Sequence, residues 1–250
     1  MRKILKDQQV GLDSNFEYRG KNQTRLETFS DAAFALAVTL LVLSSSVPET
    51  FLELRNSMRF IIPFAISVVL LTVIWYQHYL FFLKYGLQDR NTVMLNTALI
   101  FLILIYVYPL KFLSRFLFEL FMAAFSGDAS ILLSSFGDFS NANIKFLMII
   151  YGIGAALIFF TVALLYRYAY SKRRELGLSE YEIFMTRATL KSNILMGSVP
   201  TLSVLLTLIN FGHPVVNYYV SGFSYFLYPI VMPVYGRYIR KKRKARFGTE

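Results

Sequence analysis

The 250-residue chain contains no cysteine and only two histidines, His78 and His213. Without cysteine it has no disulfide, no thiolate metal site and no cysteine nucleophile. Two histidines are too few, and too far apart in sequence, for a histidine metal cluster, and the sequence has neither a phosphate-binding glycine loop nor a serine nucleophile elbow. We therefore predict that the protein is not an enzyme and that it binds no metal or cofactor.

Charged residues are also scarce, at 16% of the chain, whereas 56% of the residues are hydrophobic and the mean hydropathy is +0.49. A soluble domain is about 45–50% apolar. The composition therefore predicts a polytopic membrane protein. A net charge of +11 also occurs in nucleic-acid-binding proteins, but the positions of the basic residues indicate another cause.

Six apolar stretches are long enough to cross a bilayer, and we predict an all-α fold with six transmembrane helices. Their expected bounds are 28–47, 60–83, 91–109, 144–166, 192–211 and 215–235. The third is expected to continue beyond the membrane with one charged face, because Lys111, Arg115 and Glu119 follow at steps of four. Residues 126–143 are predicted to form an exposed loop. The expected organisation is a cytoplasmic segment 1–24, a six-helix unit 25–237 and a basic cytoplasmic tail 238–250.

Most of the positive charge lies on one side of these spans. The segments 1–25, 84–90, 167–191 and 237–246 hold 21 of the 26 Lys and Arg residues. The other side holds the remaining five, which are Arg55, Arg59, Lys111, Arg115 and Lys145. By the positive-inside rule, both termini are cytoplasmic. The basic tail is then explained by topology and by contact with anionic lipid, and we expect no nucleic-acid partner.

Residues 25–43 combine a polar start with a long apolar run. On a helix with about 100° per residue, Leu36, Leu40 and Leu43 lie within about 60° of one another, and Thr39 lies beside them. Asp31 and Leu41 each point about 140° away from Leu36. A carboxylate inside a membrane needs a partner, so this helix is the first place to look for function.

The motif in this stretch has fixed spacing. It reads Arg25-x-x-x-Phe29-Ser30-Asp31, then Phe34-Ala35, Thr39-Leu40-Leu41-x-Leu43 and Val47-Pro48, with Trp75-x-x-His78 and Asn96 as weaker matches further on. The pattern resembles the first-helix signature of the transmembrane-protein-175 family of potassium channels. The sequence departs from that family at Ala32 and Ser44, where many members have glycine and an acidic residue; Glu49 is the nearest replacement for the acid.

The resemblance implies a homotetramer in the cell membrane that conducts K⁺ passively as a leak channel. It implies that the first helices line the pore, with Leu36, Leu40 and Leu43 forming an apolar constriction that gates by dewetting, and with Thr39 beside them. The helix is expected to be held by a structural network comprising Arg25, Phe29, Ser30, Asp31, Trp75, His78 and Asn96. The filter sequence Thr-Val-Gly-Tyr-Gly is absent from the chain, so we predict no carbonyl-ring filter.

Other interpretations stay open at this point. From the residues alone, the leucine stripe is more typical of packing against lipid or another helix, and Thr39 is equally suited to bonding its own helix. Pro200, Pro229 and Pro233 are compatible with the broken helices of a secondary transporter or proton-coupled carrier. A membrane-embedded structural protein is a third class. Gly152-Ile153-Gly154 is interpreted as small-residue helix packing.

The topology prediction can be tested with a tag after Glu250. External protease should spare the tag in intact cells and remove it after permeabilisation, because the basic tail is expected in the cytoplasm. Removal of the tag from intact cells would contradict both the orientation and the even number of spans.

Overall fold

The computed structural model describes residues 13–43, 48–128, 130, 141–209 and 220–248. Every regular element whose bounds are given in these ranges is helical, which confirms the all-α prediction. The elements are α1 (Arg25–Leu43), α2 (Phe51–Met58), α3 (Ile61–Tyr85), α4 (Arg90–Ser126), α5 (Asn141–Ser171), α6 (Glu180–Leu208), a 3₁₀ turn (Ser224–Leu227) and α7 (Tyr228–Phe247).

Four of the described helices, α1, α3, α4 and α5, are long and apolar enough to cross a membrane. They coincide with the first four predicted spans, so the protein is a multi-pass membrane protein. The fifth predicted span, 192–211, falls mostly within the second half of α6. The sixth, 215–235, begins outside the described residues and ends within α7. The total of six spans therefore stays a prediction.

The helices pack in a simple spatial order. α1 lies against α3 and α4, α4 also contacts α5, α5 runs along α6, and α6 contacts α7. The α5–α6 and α4–α5 contacts are close at glycine: a Cβ on Gly152 would collide with Val204, and one on Gly154 with the Tyr106 ring. This confirms that the two glycines serve helix packing.

The helix α4 continues past Pro109 to Ser126, as predicted. Two residues of its charged face, Lys111 and Glu119, contact other parts of the protein. Glu119 is only 6% exposed, and Arg115 lies over the Phe60 ring while its Nε is 3.4 Å from Glu119 Oε1. Gly127 ends the helix with a φ of 70°. Most of the predicted loop 126–143, residues 129 and 131–140, lies outside the described residues.

Residues 13–24 are not a separate leader but part of the packed body. Phe16 is 4% exposed and contacts the Tyr85 ring edge-on, and the backbone N–H groups of Arg19 and Gly20 donate to the carbonyls of Lys84 and Leu83 at the end of α3. We call residues 13–24 the N-terminal strap. It leads directly into the first turn of α1.

One ion pair fastens the strap to α6. Arg19 Nη1 donates to Glu182 Oε1 at 2.7 Å, Arg19 Nη2 to Oε2 at 3.0 Å, and Arg19 Nε to the Leu176 carbonyl. Glu182 also completes a capping box with Ser179 at the start of α6. Its side chain is 3% exposed and that of Arg19 15%, so the pair is largely desolvated.

The tail does not begin at a break in structure. α7 runs without interruption from Tyr228 to Phe247, across the predicted boundary at 237/238. The interruption comes earlier, at the 3₁₀ turn, because Pro229 has no N–H to donate to the preceding turn. Tyr228 Oη and Tyr235 Oη donate to the carbonyls of Met196 and Ala188, so α7 runs antiparallel to α6.

We predict that Glu182→Gln lowers the melting temperature of the purified protein, because the largely desolvated Arg19 then keeps only the exposed carboxylate of Glu17, 3.6 Å away, as an acid partner among the described residues, at a cost of up to about 3 kcal/mol. The matched control is Glu180→Gln, two residues earlier in the same first turn of α6. Glu180 pairs with Arg246 through side chains that are 74% and 57% exposed, and such a surface pair contributes at most about 1 kcal/mol. Equal shifts for both variants would contradict the strap's anchoring role.

The same pair predicts a pH dependence. Burial would raise the pKa of Glu182, but its bonds with Arg19 and with the backbone N–H groups of Ser179 and Glu17 outweigh burial and place the pKa below its usual value. The stabilisation is therefore complete above the unfolded pKa of about 4.3 and is lost as pH falls through the lower folded value. The melting difference between wild type and Glu182→Gln should accordingly shrink only in strong acid.

Candidate functional site: the first helix and its anchors

The first turn of α1 is fixed by a reciprocal cap. Thr24 Oγ1 accepts from the Glu27 N–H at 3.1 Å, and the Thr24 N–H donates to Glu27 Oε1 at 3.1 Å. This is a capping box, and it satisfies two backbone donors that the helix itself cannot satisfy. Glu27 is 4% exposed, so the cap also turns this side of α1 toward the body of the protein.

A buried chain of hydrogen bonds joins α1 to α4 and α3. His78 Nε2 lies 2.7 Å from Asn96 Oδ1, Asn96 Nδ2 donates to Ser30 Oγ at 2.8 Å, and Ser30 Oγ donates to the Leu26 carbonyl at 2.8 Å. The Asn96 amide nitrogen donates to Ser30, so the Asn96 atom that faces His78 is the amide oxygen. That oxygen can only accept, and therefore the His78 Nε2–H is the donor. Ser30 and Asn96 are fully buried.

Asp31 has a different set of partners. Trp75 Nε1 donates to Asp31 Oδ1 at 2.8 Å, and Gln23 Nε2 in the strap donates to Oδ2 at 3.2 Å. His78 bonds Asn96, and Asn96 bonds Ser30, so this branch does not include the Asp31 carboxylate. The predicted network exists, but it consists of two separate branches on neighbouring residues of α1.

The other end of α1 is held by a lysine. Lys111 Nζ on α4 donates to the Leu41 carbonyl at 2.9 Å. That carbonyl belongs to the last turn of α1, where a cation is favoured by the helix dipole. Together with the cap, Ser30 and Asp31, this bond fixes α1 along its length.

The residues of α1 that face the body occupy one arc of the helix. Phe34 is 5% exposed, and Ala37 and Leu41 are fully buried. Leu41 thus points away from the leucine stripe, as its angular position predicts.

The opposite arc of α1 is exposed on the single chain. Phe29, Leu36 and Leu43 are 60%, 50% and 71% exposed, and Ala32 and Thr39 are exposed between them. These five positions are separated by alternating steps of three and four residues, which place them in one straight stripe along a helix. We call them the α1 stripe. Leu40 lies at its edge and is partly buried against the core.

Two residues expected in the network lie elsewhere. Phe29 belongs to the exposed stripe. Arg25 is exposed on the same arc and makes no hydrogen bond or ion pair with other residues in the described part of the chain. Thr39 Oγ1 donates to the Ala35 carbonyl at 2.9 Å, so its proton is used within the helix while its oxygen lone pairs face outward.

Three contacts that hold α1 were not predicted from the sequence: those made by Lys111, by Gln23 and by the Thr24–Glu27 cap. The cap has a readable signal, because Thr-x-x-Glu precedes an apolar run. Lys111 carried only the step-of-four pattern, which indicates a charged face but not the helix that it meets. Gln23 carried no signal.

The fold and this site define a multi-pass helical membrane protein. Its first helix is anchored on one arc and exposed on the other. A family model described as the endosomal/lysosomal potassium channel TMEM175 matches residues 25–109, the range that contains α1, α3 and Asn96 of α4. A potassium channel of Marivirga tractuosa is 54% identical over 244 residues, which cover 98% of each chain. The protein belongs to the TMEM175 family of potassium channels.

Two further comparisons agree. A crystal structure of a variant of the potassium channel MtTMEM175, bound to a nanobody–MBP fusion protein, matches with a TM-score of 0.84 and 55% identity, covering 93% of this chain and 100% of that one. A potassium channel of Streptomyces collinus is 27% identical over 101 residues, which are 38% of this chain and 49% of that protein.

The anchors predict the effect of changing Asp31. Asp31→Ala leaves the Trp75 indole N–H without its acceptor and should destabilise the protein by about 1–3 kcal/mol, measured as a lower melting temperature in detergent. Asp31→Asn keeps a side-chain oxygen for Trp75 and should lose much less. An Asp31→Ala protein that melts with the wild type would show that the carboxylate does not hold α1.

Proposed function

We propose that the protein is a K⁺ leak channel in which four copies surround a central pore lined by the α1 stripe. The observation that carries this proposal is the exposure of the stripe opposite every anchor of α1. The anchors use one arc of the helix for attachment, so the other arc is available to face an axis shared by several chains.

The spacing of the stripe suits a pore wall. Alternating steps of three and four keep Phe29, Leu36 and Leu43 in line over the length of the helix. Copies of α1 placed around an axis would therefore present successive rings of the same side chain. Leu40, at the edge of the stripe, would fill the space between neighbouring copies.

The side chains on the stripe suggest how conduction would be controlled. Rings of leucine leave little room for a hydrated cation and offer no polar atom to replace its water, so such a neck conducts only when it widens or becomes transiently wet. From the resemblance of the first helix, we propose that the tightest ring is at Leu36. Thr39 is the one hydroxyl on the stripe, and its outward lone pairs are the nearest polar acceptors for a dehydrating ion. No filter of backbone carbonyls is part of this proposal.

The proposed orientation has both termini in the cytoplasm of a cell with the protein in its cell membrane. The uneven distribution of Lys and Arg supports it. α1 would then begin at the cytoplasmic face, and the Lys111–Leu41 contact would lie toward the outer face.

A carrier mechanism receives little support from the proline positions. Pro200 lies inside α6, which continues unbroken to Leu208. Among the described residues, the interruption near a proline is the 3₁₀ turn before α7, which packs against α6 and α7. The discontinuous helices that carriers place at their substrate site are therefore not found beside the α1 anchors.

Purified protein in liposomes should release K⁺ down its gradient without a coupled ion. Leu36→Ala widens the neck and Leu36→Asn lowers its dewetting barrier, so both should raise conductance several-fold and shift the K⁺/Na⁺ reversal potential toward zero in planar bilayers. Absence of flux from the wild type would favour a structural role, and saturable flux that requires a second ion would favour a carrier.

The matched control is Val42→Asn. Val42 is 53% exposed on the same helix but lies about 120° from Leu36, off the stripe. Leu41 is unsuitable because it is fully buried, and its truncation would destabilise the core by about 2–5 kcal/mol. If Val42→Asn changes conductance as much as Leu36→Asn, the α1 stripe is not the pore wall.

A further inference from the structure

A groove of about 360 Å³ lies between the start of α4 and the end of α5, away from the α1 stripe. Its lining includes Asn91, Met94 and Leu95 from α4 and Leu164, Arg167 and Ser171 from α5. We propose that this groove binds one anionic phospholipid, with the phosphate at Arg167 and the upper part of an acyl chain against Leu164 and Met94. The proposal requires only that the protein lies in a bilayer, and it is independent of K⁺ conduction.

The polar end of the groove is positively charged and available. Arg167 is exposed and, within the described ranges, makes no hydrogen bond or ion pair with another side chain. The positive end of the α4 dipole lies at this corner as well, because Asn91 at the start of α4 also lines the groove. A guanidinium with free donors beside a helix start is well suited to a phosphodiester.

The nearest acid does not cancel this charge. Asp89 caps α4 by accepting from the Thr92 N–H at 3.2 Å, and it also accepts from the Tyr168 hydroxyl. Its Oδ2 lies 3.4 Å from Lys172 Nζ, and Lys172 in turn pairs with the exposed Glu175. Asp89 is therefore matched by its own partners, which leaves Arg167 to face an external anion.

The other end of the groove is apolar and open to the membrane. Met94 is 61% exposed and Leu164 is 46% exposed, and Leu95 packs partly against the core. The helices run antiparallel here, so the groove passes from Asn91 and Ser171 at its polar end to Leu95 and Leu164 one to two turns deeper. That is about 6–10 Å along the helices, enough for a glycerol backbone and the first methylenes of a chain.

The order of polar and apolar groups selects the occupant. A water-soluble phosphate leaves the exposed Met94 and Leu164 without an apolar partner, and a zwitterionic lipid brings a compensating cation along with its phosphate to Arg167. The segment from 84 to 90 and the segment from 167 to 191 both belong to the basic side of the chain, where an anionic leaflet is attracted to Lys and Arg. An anionic phospholipid satisfies both ends of the groove at once.

The groove also contacts the turn that anchors α1. Leu95 immediately precedes Asn96, whose amide donates to Ser30. A lipid packed on Leu95 and Met94 would hold this turn of α4 in place. Binding should therefore raise the thermal stability of the whole protein.

The test measures lipid retention and melting of the complete protein in detergent with added dioleoylphosphatidylglycerol, dioleoylphosphatidylcholine or glycerol 3-phosphate. We expect native mass spectrometry to show one phosphatidylglycerol per chain and a melting shift with that lipid alone. Arg167→Gln should weaken retention roughly tenfold, the value of one charge-assisted hydrogen bond. Leu164→Trp should fill the groove and abolish retention with Arg167 intact.

The control is Arg174→Gln, which removes an exposed charge on the same side of the chain but outside the groove. It should retain the lipid like the wild type. An equal loss for Arg174→Gln would show non-specific charge attraction, an equal shift with glycerol 3-phosphate would show a site for free phosphate, and unchanged retention by Arg167→Gln and Leu164→Trp would overturn the proposal.

Discussion

Polar side chains inside a bilayer must be hydrogen-bonded, and this requirement fixes the rotation of α1. Ser30 bonds Asn96, Asp31 bonds Trp75, and the final turn receives Lys111. All of these partners lie on one arc, because α3 and α4 pack against that arc alone. The exposure of the stripe that carries Leu36 and Leu43 follows from the attachments on the other side.

The same helix is also connected, through the N-terminal strap, to α6, which is distant in sequence. The N-terminal strap enters α1 through the Thr24–Glu27 cap, bonds Asp31 through Gln23, and is held to α6 by Arg19 and Glu182. A change in the position of α6 would thus be transmitted to the first turn of α1 through a short and well-bonded segment. The lipid groove acts on a different contact of α1, through the α4 turn that contains Asn96.

Local patterns correctly predicted an all-helical chain and its first four apolar spans. The angular positions of Leu36 and Leu41 were sufficient to separate an exposed face from a buried one, and the glycines at 152 and 154 were correctly interpreted as packing positions. Trp75, His78 and Asn96 were correctly grouped near α1, but their pairing was not predictable, since Ser30 and Asp31 are adjacent and both accept hydrogen bonds.

Long-range pairs could not be predicted from the sequence. Arg19 and Glu182 are 163 residues apart, and nothing in either neighbourhood indicates the other. The strap was therefore interpreted as a polar leader, although Phe16 is buried in the core. For the same reason, the steps of four that put Lys111 and Glu119 on one face of α4 did not predict that Lys111 bonds the Leu41 carbonyl or that Glu119 is buried.

The absence of cysteine from the chain permits a direct measurement of the central claim, that the α1 stripe faces the ion path. Single cysteines can be placed at Thr39 or Leu43 on the stripe and at Val42 off it, and a positively charged methanethiosulfonate reagent applied during recording. The account predicts irreversible loss of K⁺ current for Thr39→Cys and Leu43→Cys, and little change for Val42→Cys. Equal block at all three positions, or block confined to Val42→Cys, would contradict it.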